Sequence, residues 1–500
     1  MMSGRPHRLL WAGALVFIVY FFAVGFHRYL FAQAGGIHFV RQSDALAFVA
    51  HFRLTNAGIF EPGILSLNTP DGKAVCEFPL IYYVVAHCTD SVASATFMMR
   101  SIMLCSLLSS VFYLYLVLRK RLGLYTLLPV FLCLSSGILI YYSANLLPEV
   151  VAFSCCITGL ALITRYLLSS AMPVRLCAWA MMWFSLASLF KVTYSIYPIA
   201  LALAALIGFK RNANRISNTR ILALLIAHLI LVTSWYIYAA SYSVRHGDEY
   251  FLLHARPLWE RPSQEWWGIL KWPWTYWGNI FLHWQVKVIF FAMMVFAVVW
   301  NWNKSRFLSL FTLGMGAGVI CFLLLFANHL RDHDYYLIVM LPFALIAGIM
   351  AVDALMTTQR LKWYYIIGSM VAIAFGVVYS VQKVQRRFDQ HQTEYARMFE
   401  EILSNKDLLS FAEGSVGRSF AVVGDPSYNG SLVALDRFGW TVKLEDWTPH
   451  NVGVNHIKEE ADFLLMEQQT RNSGGWVPQS FQQVPHVFGN LVLFEKAANQ

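Results

Sequence analysis

The sequence predicts an all-α polytopic membrane bundle of about eleven transmembrane helices with a large first extracytoplasmic loop, followed by a small extracytoplasmic α/β domain. Three observations predict it. Hydrophobic residues fill 58% of the 500 positions and charged residues only 13%, with a mean hydropathy of +0.51; a soluble domain carries roughly 25% charge, so most of this chain faces lipid or lies inside a bundle. Apolar runs of bilayer length recur along residues 1–381. From residue 382 the sequence turns polar and short strand-like runs take over.

A helix needs roughly 20 apolar residues to cross a bilayer. The spans are then 9–31, 98–118, 124–142, 148–169, 176–190, 192–209, 221–243, 279–300, 307–327, 337–357 and 363–381. The 176–209 stretch is too long for one crossing and divides at Lys191, its only charge. The N-terminus is basic, then apolar, without a small-residue cleavage site, and reads as a retained first span and not a removed signal. "FPLIYYVVAHC" (78–88) is apolar but short, and reads as an interfacial helix. With the N-terminus cytoplasmic, this layout puts Arg119–Lys120–Arg121, Arg175, Lys210/Arg211/Arg215/Arg220, Lys304/Arg306 and Arg360/Lys362 on the cytoplasmic side, as the positive-inside rule requires. Counting 78–95 as a span reverses every later cluster. The same clustering accounts for the formal charge of +10 and excludes nucleic acid as the partner.

Residues 1–381 are thus expected to form a transmembrane domain, with 32–97 as its first outer loop and a Trp-rich outer loop at 244–278. Residues 382–500 are expected to form the soluble α/β domain. That tail opens with the polar helical run "RRFDQHQTEYARMFEEILSN" and continues through strand-like "SFAVVGD", "ADFLLME" and "NLVLFEK". Its "VVGDPSYNG" places glycines after a strand but has neither a GxGxxG nor a P-loop pattern, so nucleotide binding is unsupported. Six cysteines, Cys105, Cys133, Cys155, Cys156, Cys177 and Cys321, lie in apolar runs as small core residues, and no CxxC pair marks a metal or redox site. Cys76 and Cys88 share the first outer loop, where a disulfide is one possibility.

On the outer face, chemistry-bearing residues collect from distant parts of the chain. Asp44, in "RQSDALAFVAHF", opens an amphipathic helical stretch; it is either an N-cap or a carboxylate able to take a proton from a hydroxyl. Glu149, after Pro148, suits a helix N-terminus or an outer cleft. Lys191 either snorkels to the interface or meets an anion such as a lipid phosphate, since a charge inside a bundle is paired or functional. "HLRDHDYY" offers Arg331 and His333 as phosphate donors beside Tyr335 and Tyr336, against the plainer reading of an interfacial tyrosine belt. The aromatic loop 254–279 either anchors at the interface or stacks on a sugar or prenyl group. No Asp/His cluster has clear metal spacing, so no cofactor is expected, although "DHD" (332–334) is a possible divalent-ion ligand set.

With these residues the chain resembles the C-type glycosyltransferases, integral-membrane enzymes that use polyprenyl-phosphate-linked sugars, in the branch that includes protein O-mannosyltransferases and the lipid A aminoarabinose transferase. The resemblance rests on "RQSD", "FPLIYY", "YYSANLLPE", "LFKVTY", "HDYYLIVMLP" and the tail's "LVALDRFGW", and covers nearly the whole chain through order and topology more than any one motif. It implies an outer-face cavity and an inverting transfer to a glycan, lipid or protein acceptor. It also implies Asp44 as base or acceptor-orienting carboxylate and Glu149 as a second acid. Lys191, Arg331 and His333, with Tyr335, would hold the donor phosphate, and Arg41, Lys73, Glu77 and Tyr336 would be further cavity residues. One departure is that many relatives have a Lys before the juxtamembrane Pro-Pro-Leu, where this chain has Glu77–Phe78–Pro79–Leu80; Lys73 is the nearby substitute. The expected location is a bacterial inner membrane, with periplasmic-side chemistry. A transporter or flippase of a lipid-linked sugar is the competing reading, but such proteins place polar residues near the bilayer midplane in two related halves, and no internal repeat is visible.

Overall fold

The structure is a computed structural model that describes residues 5–168, 174–208, 218–248, 255–302, 304–356, 359–389, 394–473, 475–481 and 484–497. Lys210, Arg211 and Arg215 of the expected basic clusters lie outside these residues. In chain order the principal helices are α1 (Arg5–Val24), α2 (Phe39–Thr55), α3 (Leu80–Cys88), α4 (Val92–Leu122), α5 (Leu127–Leu134), α6 (Gly137–Ser143), α7 (Glu149–Leu168), α8 (Val174–Phe190), α9 (Ile196–Gly208) and α10 (Asn218–His246). They continue with α11 (Trp266–Tyr276), α12 (Trp284–Trp302), α13 (Arg306–Leu325), α14 (Leu341–Leu355), α15 (Gln359–Asp389), α16 (Arg397–Ser404), α17 (Lys406–Gly414), α18 (Gly430–Leu435) and α19 (Asn455–Glu460). The chain packs into two compact units. One comprises Met1–Phe31, Arg100–Ile237 and His254–Arg386, and the other Ala32–Met99, Tyr238–Leu253 and Arg387–Gln500.

Among the described residues seven helices are long and apolar enough to cross a membrane. Over their described residues the eleven expected apolar runs are helical, several of them short or broken. The expected 124–142 span is a 3₁₀ turn followed by α5 and α6, broken at Ser135–Ser136, where the Ser136 side chain accepts from Leu139 N. The Val174–Phe190 and Val192–Ile207 helices are shorter than a full crossing, and they meet at Lys191 as the charge predicted.

Helix breaks free backbone carbonyls, and within a bilayer each must find a donor inside the protein. Tyr20 donates to Leu134 O at 2.7 Å and Ser380 Oγ donates to Ser135 O at 2.6 Å. Tyr197 donates to Val339 O in the 3₁₀ segment before α14. Arg100, fully buried, donates to Tyr29 O. Side chains from neighbouring helices thus repair each break and pin the irregular segments.

The second unit contains a five-stranded sheet in the order β2-β1-β3-β5-β4, with β1 (Phe420–Val423), β2 (Gly439–Val442), β3 (Phe463–Glu467), β4 (His486–Phe488) and β5 (Leu491–Glu495). β2, β1 and β3 run parallel, while β5 is antiparallel to β3 and to β4. β1 is buried on both faces, as a parallel strand covered by helices must be. One face carries an apolar core of Ala421, Val423, Trp440, Leu464, Met466 and Phe494.

The three strands expected from sequence are β1, β3 and β5; β2 and β4 were not expected. β2 begins at Gly439, where any Cβ would sit 1.9 Å from the Phe420 carbonyl oxygen, and its flanking residues carry no strand periodicity. β4 is a three-residue, largely exposed edge. First-loop residues join the sheet: Gly439 donates to Leu65 O and Leu67 donates to Gly439 O.

One local expectation is corrected. Asp44 does not open its helix. α2 starts at Phe39, after His38 in a left-handed conformation, because "FVRQ" continues the apolar face backward; Gln42 anchors this turn by donating to Gly35 O at 2.7 Å. Cys76 and Cys88 are both free thiols, Cys76 buried and Cys88 exposed at the end of α3.

Candidate active site

In the first unit the charge at residue 191 is paired. α8 ends at Phe190, and Lys191 starts a short 3₁₀ turn into α9. Its Nζ lies 2.8 Å from Oε1 of Glu149, the first residue of α7, and both side chains are largely buried, at 15% and 4% exposed. The ammonium also sits 5.8 Å and 5.7 Å from the ring centroids of Tyr335 and Tyr336, a cation–π arrangement that gains strength where water is excluded.

The turn is held from α10. Val192 N donates to Tyr236 Oη at 3.1 Å, Tyr236 donates to Ser188 O, and His228 bridges the hydroxyls of Ser185 and Ser195. Glu149 Oε2 is buried with no hydrogen-bond partner among the described residues. An ammonium has three donors, and Glu149 takes one of them.

The "HLRDHDYY" segment packs beside this pair. Asp334 is fully buried and accepts from Tyr142 Oη at 2.6 Å. Tyr142 and Tyr335 meet edge-on at 5.6 Å, and the His333 ring lies 5.3 Å from that of Tyr335. Arg331 is exposed, its guanidinium 5.0 Å from the Trp272 ring, and the Trp272 indole donates to the Arg331 carbonyl. Lys191, Glu149, His333, Tyr335 and Tyr336 are thus gathered around one point, while Arg331 is turned to the Trp-rich segment. In "DHD", Asp332 is exposed and Asp334 is engaged by Tyr142, and among the described residues no three His, Cys, Asp or Glu side chains form a metal-binding group.

In the second unit Asp44 is 1% exposed. Asn429 Nδ2 donates to its Oδ1 at 2.9 Å, and Arg41 Nη1 lies 3.5 Å from its Oδ2. The Asn429 side-chain oxygen in turn accepts from Ser66 N at 3.1 Å. Asn429 owes its position to "VVGDPSYNG". The Asp425 carboxylate accepts from the amides and hydroxyls of both Ser427 and Ser431, folding residues 425–431 back toward α2. Burial raises the Asp425 pKa, and these four bonds oppose the rise.

Glu77 is buried and accepts from Tyr82 Oη at 2.7 Å; burial, then the Glu77 charge, pushes the Tyr82 pKa well up, while Arg41 pulls it down. Arg41 therefore sits within electrostatic reach of both acids. Lys73 lies near His51 of α2, where its charge adds to burial in lowering the His51 pKa to about 4.

Asp44, Arg41, Glu77 and Lys73 belong to the second unit, and the Lys191 group to the first. Asn429 and Tyr142 were missed as site residues. Both lie in stretches singled out on other grounds, and the available signal was an amide or phenol next to an acid-bearing motif.

This chain shares its fold with solved structures of ArnT and of archaeal oligosaccharyltransferases. ArnT from Cupriavidus metallidurans bound to undecaprenyl phosphate is similar over 97% of this chain and 98% of its own, with a TM-score of 0.60 at 11% identity. The Archaeoglobus fulgidus oligosaccharyltransferase in complex with zinc and sulfate is similar over 92% of this chain and 68% of its own, with a TM-score of 0.55 at 12% identity. The archaeal oligosaccharyltransferase AglB, in complex with an inhibitory peptide and a dolichol-phosphate, gives 94%, 70%, 0.53 and 10% in the same order. No protein-family model and no curated protein matches the sequence.

Proposed function

We propose that this protein is an inverting glycosyltransferase that moves a sugar from a polyprenyl-phosphate donor to a glycan, lipid or protein acceptor on the outer face of a bacterial inner membrane. The N-terminus is then cytoplasmic, residues 1–381 form the membrane domain and residues 382–500 lie in the periplasm. The observation that carries the reading is Lys191, a buried cation at a break between two apolar helices, held by Glu149 under two tyrosines. A charge at membrane depth is paired or functional, and a lipid phosphate is the anion that a bilayer would bring to the Lys191–Glu149 pair.

In the proposed reaction the acceptor oxygen attacks the anomeric carbon on the face opposite the phosphate. The new glycosidic C–O bond forms as the bond from the anomeric carbon to the phosphate oxygen breaks, and the electron pair leaves on the polyprenyl phosphate. The acceptor's proton passes to the Asp44 carboxylate. Lys191, with His333 and Tyr335, stabilises the charge that accumulates on the leaving phosphate. Glu149 orients the Lys191 ammonium, and Asn429 and Arg41 orient Asp44.

The test is release of polyprenyl phosphate by the purified protein from undecaprenyl-phosphate-linked hexoses and pentoses. A transporter or flippase moves such a lipid intact and releases none.

A further inference from the structure

We propose that the end of the bundle carrying the basic clusters holds one acyl chain of an anionic diacyl phospholipid, in a pocket separate from the Lys191 group. Where α4 and α7 end, α13 begins and α14 ends, the helices leave a cavity of about 250 Å³. Its walls are mostly apolar, among them Leu118, Ile163, Leu167, Phe307, Phe311 and Ile349, with the polar side chains of Thr164, Asn301 and Ser305 beside them. Over the apolar part of the wall water finds few of the two to four polar partners it needs, and a hydrocarbon chain fills that part without the cost.

The mouth is charged. Arg121 meets Asp353 through two parallel contacts, Nε to Oδ1 at 2.5 Å and Nη2 to Oδ2 at 2.7 Å. Asp353 is the one acid among the lining residues and is neutralised by this fork. Around it stand Arg119 and Lys120 in the last turn of α4, and Lys304 and Arg306 on either side of the lining residue Ser305. Lys120, Lys304 and Arg306 are exposed, with Lys304 over the Trp300 ring at 4.0 Å, so the rim is rich in positive charge. An apolar slot under a basic rim matches a phospholipid whose chain enters the slot and whose phosphate stays at the rim, as basic pockets between membrane helices do for anionic head groups. The donor grip is elsewhere: Glu149 and Ile163 are on the same helix, fourteen residues apart, which is about 21 Å along its axis.

The experiment is native mass spectrometry of the full-length protein in detergent, with palmitoyl-oleoyl phosphatidylglycerol competing against palmitoyl-oleoyl phosphatidylcholine. We expect one phosphatidylglycerol retained per chain at about tenfold preference, near-equal retention in Lys120→Glu/Lys304→Glu, and loss of both lipids in Leu167→Trp, which fills the slot. The double charge variant alters exposed side chains only, so it decides the matter if Leu167→Trp misfolds. Equal retention by the unmodified protein overturns the proposal, as does an unchanged preference in the charge variant. Displacement of phosphatidylglycerol by equimolar undecaprenyl phosphate also overturns it, because the pocket then belongs to the donor chain.

Discussion

Asn429 and Asp44, 385 residues apart in the chain, are joined by a 2.9 Å hydrogen bond between side chains that are both buried. A carboxylate so held has one oxygen fixed by the amide and the other facing Arg41. Asp44→Asn should cut transfer by 10²- to 10⁴-fold, the usual worth of a general base, with expression and gel-filtration behaviour unchanged. Near-normal turnover by that variant removes Asp44 from the chemistry.

Asn429→Ala should lower kcat by roughly 10- to 100-fold while leaving the KM for donor nearly constant, since it removes the bond that holds one oxygen of Asp44. The lost bond to a charged acceptor should also cost about 1.5–3 kcal/mol of stability. A change in KM alone contradicts the positioning role.

Lys191→Met should raise the KM for donor and leave Glu149 as an unpaired buried charge, at a cost of about 3–5 kcal/mol. Lys191→Met/Glu149→Leu should recover the stability but not the activity. Recovery of both means that the pair is only structural.

His51 supplies a pH dependence. It is buried and its ring Nδ1 has no hydrogen-bond partner among the described residues, and burial, followed by Lys73, lowers its pKa to about 4. Below the unfolded value of about 6.5 the unfolded chain binds a proton that the folded chain refuses, so stability falls as pH drops from about 6.5 toward 4. At pH 5 the loss is about 2 kcal/mol. Hydrogen exchange of α2 should speed up accordingly between pH 7 and 5, after correction for the intrinsic rate, and His51→Gln should flatten the change.

The bundle was legible because lipid imposes a simple rule: long apolar runs separated by basic clusters. Lys191 was legible for the same reason, as a lone charge in an apolar stretch marks a helix break. The breaks at Ser135–Ser136 were not, since serine is tolerated in a membrane helix until its neighbours, here Tyr20 and Ser380, take up the freed carbonyls. Asp44 was legible as an acid worth noting but not in its setting. The partner that fixes it comes from the tail, and pairing over 385 residues leaves no local pattern. β2 was hidden for a related reason: it is made a strand by the first-loop segment and β1 on either side, not by its own four residues.

The most direct measurement is the amount of undecaprenyl phosphate released when the purified full-length protein in proteoliposomes meets undecaprenyl-phosphate-linked hexoses and pentoses together with outer-membrane glycolipids and cell-wall glycans as acceptors. The account predicts release matched one-to-one by glycosylated acceptor, abolished by Asp44→Asn. Movement of the intact lipid-linked sugar across the bilayer with no release would contradict it.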